Sequence, residues 1–104
     1  MLLDMTKKIL DEACRVIGED NRDILEGIIE NWRDEVLEGI HSSDFLDMIG
    51  VSDYSKVDDT YAKMIMFMLY KKDMLKGKSK NEQIMMKNII IPCVASELGL
   101  VEDI

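Results

Sequence analysis

The sequence predicts an all-α fold: a small bundle of four main helices plus a short connecting helix, in a single domain spanning residues 1–104. Three observations point there. Apolar residues recur at spacings of three and four along most of the chain, the period of a helix that turns one side to a core. Turn and capping residues fall between those stretches, at Gly18, Ser42-Ser43-Asp44, Gly50, Gly77 and Ser79. The longest apolar run, Met64 to Tyr70, is built from Met, Leu, Ile and Phe with few β-branched residues, which favours helix over strand.

The first helix is expected from Leu2 to Ile17, with Leu2, Met5, Ile9, Leu10, Ala13, Cys14 and Ile17 on one side, stopped by Gly18. Asp20-Asn21 supplies oxygen acceptors to cap a second helix. That helix carries Ile24, Leu25, Ile28, Ile29, Trp32, Val36 and Ile40 and runs to about His41. Ser42-Ser43-Asp44 caps the short connector through Phe45-Leu46 and Met48-Ile49, and Gly50 closes it in a left-handed conformation. Ser55 with Asp58 three residues on resembles a capping box, opening a helix from Lys56 to Leu75. Ser79-x-x-Glu82 is a full capping box for the last helix. Pro92 lacks an amide donor and crowds the carbonyl of Asn88, so that helix is expected to kink or break near Ile91, with a final piece from Cys93 to Leu98 ended by Gly99. Gly27 and Gly39, inside the second helix, are candidates for close helix crossings, and Trp32 for a core anchor.

Composition excludes several classes of function. Thirteen basic against twenty-one acidic residues give a net charge of −8, a field that repels nucleic-acid backbones and anionic lipid. The apolar run of seven is far short of the roughly 20 residues that span a bilayer, so no membrane partner is expected. The opening MLLDMTKK lacks the basic start and cleavage site of a secretory leader. Cys14 and Cys93 are widely separated, with no CxxC, which suits a reducing, cytoplasmic setting.

The helix from Lys56 to Leu75 has more apolar surface than one core-facing stripe needs. Val57, Tyr61, Met64, Ile65 and Met68 form one face; Phe67, Tyr70 and Met74, with Met66 between the two, form another. The helix is expected to want neighbours on both sides and to be central in the bundle. Met66, Phe67, Tyr70 and Met74 are then the candidate protein-interaction residues, most economically with a second copy in a homodimer. The expected function is a small acidic, non-catalytic interaction or regulatory module that self-associates, without cofactor or metal.

Charge is sorted along the chain. Residues 1–59 hold six basic and sixteen acidic side chains, whereas residues 60–90 hold seven lysines and two acids. Lys71, Lys72, Lys76, Lys78 and Lys80 form the alternative site, a phosphate-binding cluster for nucleic acid with Tyr70 stacking on a base. It contains no Arg to grip a phosphate in two places. Glu26, Glu30, Asp34, Glu35 and Glu38 line up as an acidic helix face for a basic partner.

Two constellations carry a metal-dependent alternative. Glu38-x-x-His41 has the spacing of a carboxylate–histidine pair on one helix, but His41 is the only histidine. Asp34-Glu35-x-x-Glu38, with Asp44-x-x-Asp47 as a second pair, resembles the acidic motif of all-α nucleotide pyrophosphohydrolases, which hold Mg²⁺ on carboxylates from two helices. The sequence departs from that pattern: Asp replaces the leading Glu, and five residues between Glu38 and Asp44 are too few to cross to another long helix and return.

Overall fold

A computed structural model describes residues 2–100, and it is helical throughout, with no strand among those residues. Helix α1 (Asp4–Ile17) leads through a 3₁₀ turn at Glu19–Asn21 into α2 (Arg22–Gly39). The connector α3 (Ser43–Ile49) and a second 3₁₀ turn (Tyr54–Lys56) precede α4 (Asp59–Leu75). The last helical stretch is continuous from Lys80 to Glu97: α5 (Lys80–Met85), a π turn (Met86–Ile90) and α6 (Ile91–Glu97).

Local chemistry sets most of these boundaries. Ser42 Oγ accepts from the Phe45 amide at 3.2 Å to start α3, and Gly50 ends it at φ 78°. The Ser79–Glu82 box is complete: the Glu82 amide donates to Ser79 Oγ at 3.2 Å, and the Ser79 amide donates to Glu82 Oε1 at 3.3 Å. Two caps differ from expectation. Asn21 does not cap α2; its side-chain amide donates to the Ile17 carbonyl at 2.9 Å, closing the end of α1 instead. Ser55 is held by Asp53, which accepts from its amide at 3.1 Å, so the cap of α4 passes to Asp58, accepting from the Tyr61 amide at 2.8 Å.

Around Pro92 the helix changes register without unwinding. In the π turn the Ile91 amide donates to the Met86 carbonyl five residues back. That wider ring lies immediately before the position where an α-helical ladder would need the amide that proline lacks.

The core joins Leu10 and Cys14 of α1, Leu25, Ile29, Trp32 and Val36 of α2, and Phe45 of α3 to Ala62 and Met66 of α4 and the C-terminal helix. Here the expected centre is corrected. In α6, Ile91, Cys93, Val94, Ala95 and Ser96 are all buried, and it packs against both α1 and α2. Methionine-rich α4 lies at the edge and packs chiefly on α2. Small side chains let α6 fit between two neighbours, whereas bulky Met, Phe and Tyr hold α4 to one side. Gly39 makes that single contact close, since a Cβ there would lie 3.1 Å from Met66 Cε. Gly27 marks no crossing, with nothing within 4 Å of its added Cβ.

A buried polar clamp ties the first helix to the last. The Glu97 side chain, 2% exposed, accepts from the Leu3 amide at 2.8 Å, from Thr6 Oγ1 at 2.6 Å and from Arg33 Nη1 at 3.2 Å. Ser96 Oγ lies 3.1 Å from Thr6 Oγ1, so its hydroxyl can donate there while Thr6 donates to the carboxylate. A buried carboxylate survives this way, because each donor replaces hydration lost on burial.

Candidate interaction surface

The structure covers the two faces of α4 unequally. Met66, expected outside, is buried, and Phe67, Tyr70 and Met74 are half-buried against the core. Phe67 stacks on Trp32, with ring centroids 5.9 Å apart and planes at 25°. Tyr70 lies beside the α2 acids: burial first, then the charges of Glu35 and Glu38, raises its phenol above the ordinary range. The other side is more open, although Ile65 still packs on the core. Tyr61 is 57% exposed, Met64 46% and Met68 61%, and Leu69 joins them.

The choice of the inward side has a simple origin. Trp32 and Gly39 of α2 offer a ring to stack on and a gap for a thioether, and Phe67 and Met66 fill those two places. A helix apolar nearly all round can satisfy a core with either face, so its partner's shape decides.

Lys71, Lys72, Lys76, Lys78 and Lys80 follow one another along the last turn of α4 and the turn into α5, and all five are exposed. Lys76 approaches Asp73 at 3.6 Å. The acidic α2 face lies partly open too, with Asp34, Glu35 and Glu38 exposed and Glu26 and Glu30 half-buried. Asp34 accepts from Arg33 Nε at 3.0 Å.

Glu38 and His41 do not project from one helix. Helix α2 ends at Gly39, His41 sits in the following turn, and its ring leans on Tyr54 with centroids 4.2 Å apart. The Tyr54 hydroxyl donates to Asp59, which is also bridged to Lys63 at 2.8 Å. Burial, then the Asp59 carboxylate, pushes the Tyr54 phenol up to about 12, while Lys63 first and Tyr54 second hold Asp59 below the usual carboxylate range. This chain pins the α3–α4 connection to the start of α4. Asp44 and Asp47 are exposed on α3. Among the described residues no three His, Cys, Asp or Glu side chains gather where a metal ion could be held.

Both cysteines are free and buried, and burial pushes the Cys93 thiol up to about 12, far from a reactive thiolate. Open grooves mark the surface, two of them lined largely by apolar side chains. One, of about 500 Å³, lies between α1 and the π turn, lined by Ile9, Ala13, Val16 and Ile89. The other, of about 310 Å³, is lined by Ile28, Met85 and Met86 beside Lys78 and Glu82. No helix among the described residues is long and apolar enough to cross a membrane.

Sequence reasoning missed the outward placement of Tyr61, Met64 and Met68 and the clamp on Glu97. The spacing of Asp58, Tyr61, Ile65, Met68, Lys72 and Leu75, alternately three and four, was the available signal for the first. Nothing local marks Glu97, whose partners lie 64 to 94 positions away. Set against protein families, curated proteins and solved structures, the chain matches none.

Proposed function

We propose that this chain is a small acidic, non-catalytic protein-interaction and regulatory module that works in the reducing cytoplasm and docks a protein partner through exposed apolar surface. One observation carries the reading: Tyr61, Met64, Met68 and Leu69 lie open to solvent on one side of α4. Large side chains grouped on one helix face cost free energy in water, and a partner that covers them recovers it. The free, buried cysteines suit a reducing compartment.

Affinity capture from the native lysate tests this, comparing the wild-type chain with Met64→Asp. A protein recovered by the first and lost by the second is the expected result. Turnover of nucleotides in the presence of Mg²⁺, abolished by Glu38→Gln, would overturn it in favour of a metal-dependent hydrolase.

A second reading draws on the exposure of Lys71, Lys72, Lys76, Lys78 and Lys80 around the turn from α4 into α5. It makes the chain a nucleic-acid-associated regulator. Its signature is retention on DNA or RNA that falls steeply with salt and disappears when the five lysines become Gln.

A further inference from the structure

The outward face of α4 has a pattern that suits one partner in particular. Asp58, Tyr61, Ile65, Met68, Lys72 and Leu75 follow one another at intervals of three, four, three, four and three. That is a heptad seam, the repeat by which two helices pack knobs into holes. Burial shows which side of the helix it occupies: Tyr61 and Met68 are the two most exposed large apolar side chains of α4, Asp58 and Lys72 are exposed, and Ile65 and Leu75 are half-buried.

The seam is self-complementary in only one direction. Its beginning is acidic, at Asp58, and its end is basic, at Lys72 and neighbouring Lys76. Parallel pairing of two copies would set Asp58 against Asp58 and Lys72 against Lys72. Antiparallel pairing about a two-fold axis between residues 66 and 67 sets Ile65 against Met68, Tyr61 against Lys72 and Asp58 against Leu75, with Lys76 of the second copy beside Asp58. The two central knobs then meet each other, Tyr61 meets the stem of a lysine whose ammonium can reach its ring, and Leu75 lies by Asp58, where Lys76 brings the opposite charge. The opposed helix dipoles favour the same arrangement. A lone lysine inside a seam is a known means of choosing orientation, because burying it opposite its own twin is costly.

The exposure of Tyr61, Met64 and Met68 leaves that face uncovered in the single chain, and α4 rests chiefly on α2. We infer that a second copy of this chain covers the outward face of α4, forming a two-fold dimer through an antiparallel helix pair centred between Met66 and Phe67. This rests on the reading of the chain as an interaction module and names the partner. One 17-residue helix, about 26 Å long, offers less than a standard interface, so the dimer is reversible with a dissociation constant on the order of micromolar.

Sedimentation of the purified chain across micromolar concentrations tests the association, and thiol cross-linking tests the register. The wild-type chain is expected to pass from monomer to dimer. Met68→Glu and, separately, Lys72→Glu are expected to weaken dimerisation at least tenfold while retaining native helix content by circular dichroism, since both positions are exposed. Mixing Ile65→Cys with Met68→Cys chains is expected to give the mixed disulfide faster than either variant alone links to itself; buried Cys14 and Cys93 stay out of the exchange. A wild-type chain that remains monomeric at one hundred times the micromolar range, a dimer untouched by Met68→Glu, or preferential 65–65 linkage would each overturn the pairing. So would a monomer that uses this face to bind phospholipid vesicles. A monomer whose α4 face still captures another protein would refute self-pairing and leave the interaction role standing, whereas loss of lysate capture with dimerisation intact would do the reverse.

Discussion

Replacing Glu97 with alanine should be among the most damaging single changes in this protein, although the residue lies near the end of the last helix. The carboxylate is 2% exposed and accepts from the Leu3 amide, Thr6 Oγ1 and Arg33 Nη1. Truncation leaves the fully buried Thr6 hydroxyl with only Ser96, and strands the guanidinium on its inner side. Removing one partner of a buried charged pair costs about 3–5 kcal/mol. Two features lower that figure: Arg33 is 21% exposed and keeps Asp34, and the Leu3 amide lies where water can reach it. We therefore expect about 3 kcal/mol, a large share of the roughly 5–15 kcal/mol that holds a domain together. At about 4–8 °C per kcal/mol for a chain of this length, Tm should fall by roughly 12–24 °C. Glu97→Gln keeps the shape and one acceptor and should cost about half as much. Urea unfolding monitored by circular dichroism reads both variants. A loss below about 0.5 kcal/mol for Glu97→Ala would show that the clamp adds nothing beyond the solvated chain, and the argument from burial would fail.

Gly27 lies inside α2 with open space around it, so Gly27→Ala should stabilise the protein by about 0.5–1 kcal/mol in thermal unfolding, whereas Gly39→Leu should destabilise it by pushing Met66 out of its place. The folded-state pKa of Tyr54 is raised to about 12, above its ordinary value of 10.0. Its contribution to stability is therefore complete below pH 10 and lost as pH rises towards 12; Tyr54→Phe should flatten that decline in denaturant midpoints, and an unchanged slope would refute the raised phenol. Asp59 is shifted the other way, so its contribution is present above its ordinary 3.8 and fades in acid, which Asp59→Asn should abolish. Both thiols should resist alkylation in the native state and react at once in denaturant; rapid native labelling of Cys93 would contradict its burial.

The elements themselves were legible because their signals are short-range. The Ser79–Glu82 box, the Ser42 cap and the left-handed Gly50 each act within three or four residues, so reading neighbours was enough. The two misread caps were also local, but involved competition. Asn21 had two helix ends within reach and closed the earlier one, and Ser55 was claimed by Asp53 before it could serve α4. Pattern matching names the candidates in such cases, and the relative geometry of the competing backbone groups selects among them.

By itself the sequence determined that the chain is helical, where its turns fall, that its cysteines and Trp32 lie inside, and that α4 carries more apolar surface than a single stripe. Only the tertiary structure decided which side of α4 turns inward, that α6 and not α4 occupies the centre, and that Glu97 joins the two ends of the described chain. The division follows from range. A helix's period and caps depend on residues within one turn, while the choice between two apolar faces, and the safe burial of a carboxylate, depend on the shape and donors of neighbours far along the chain.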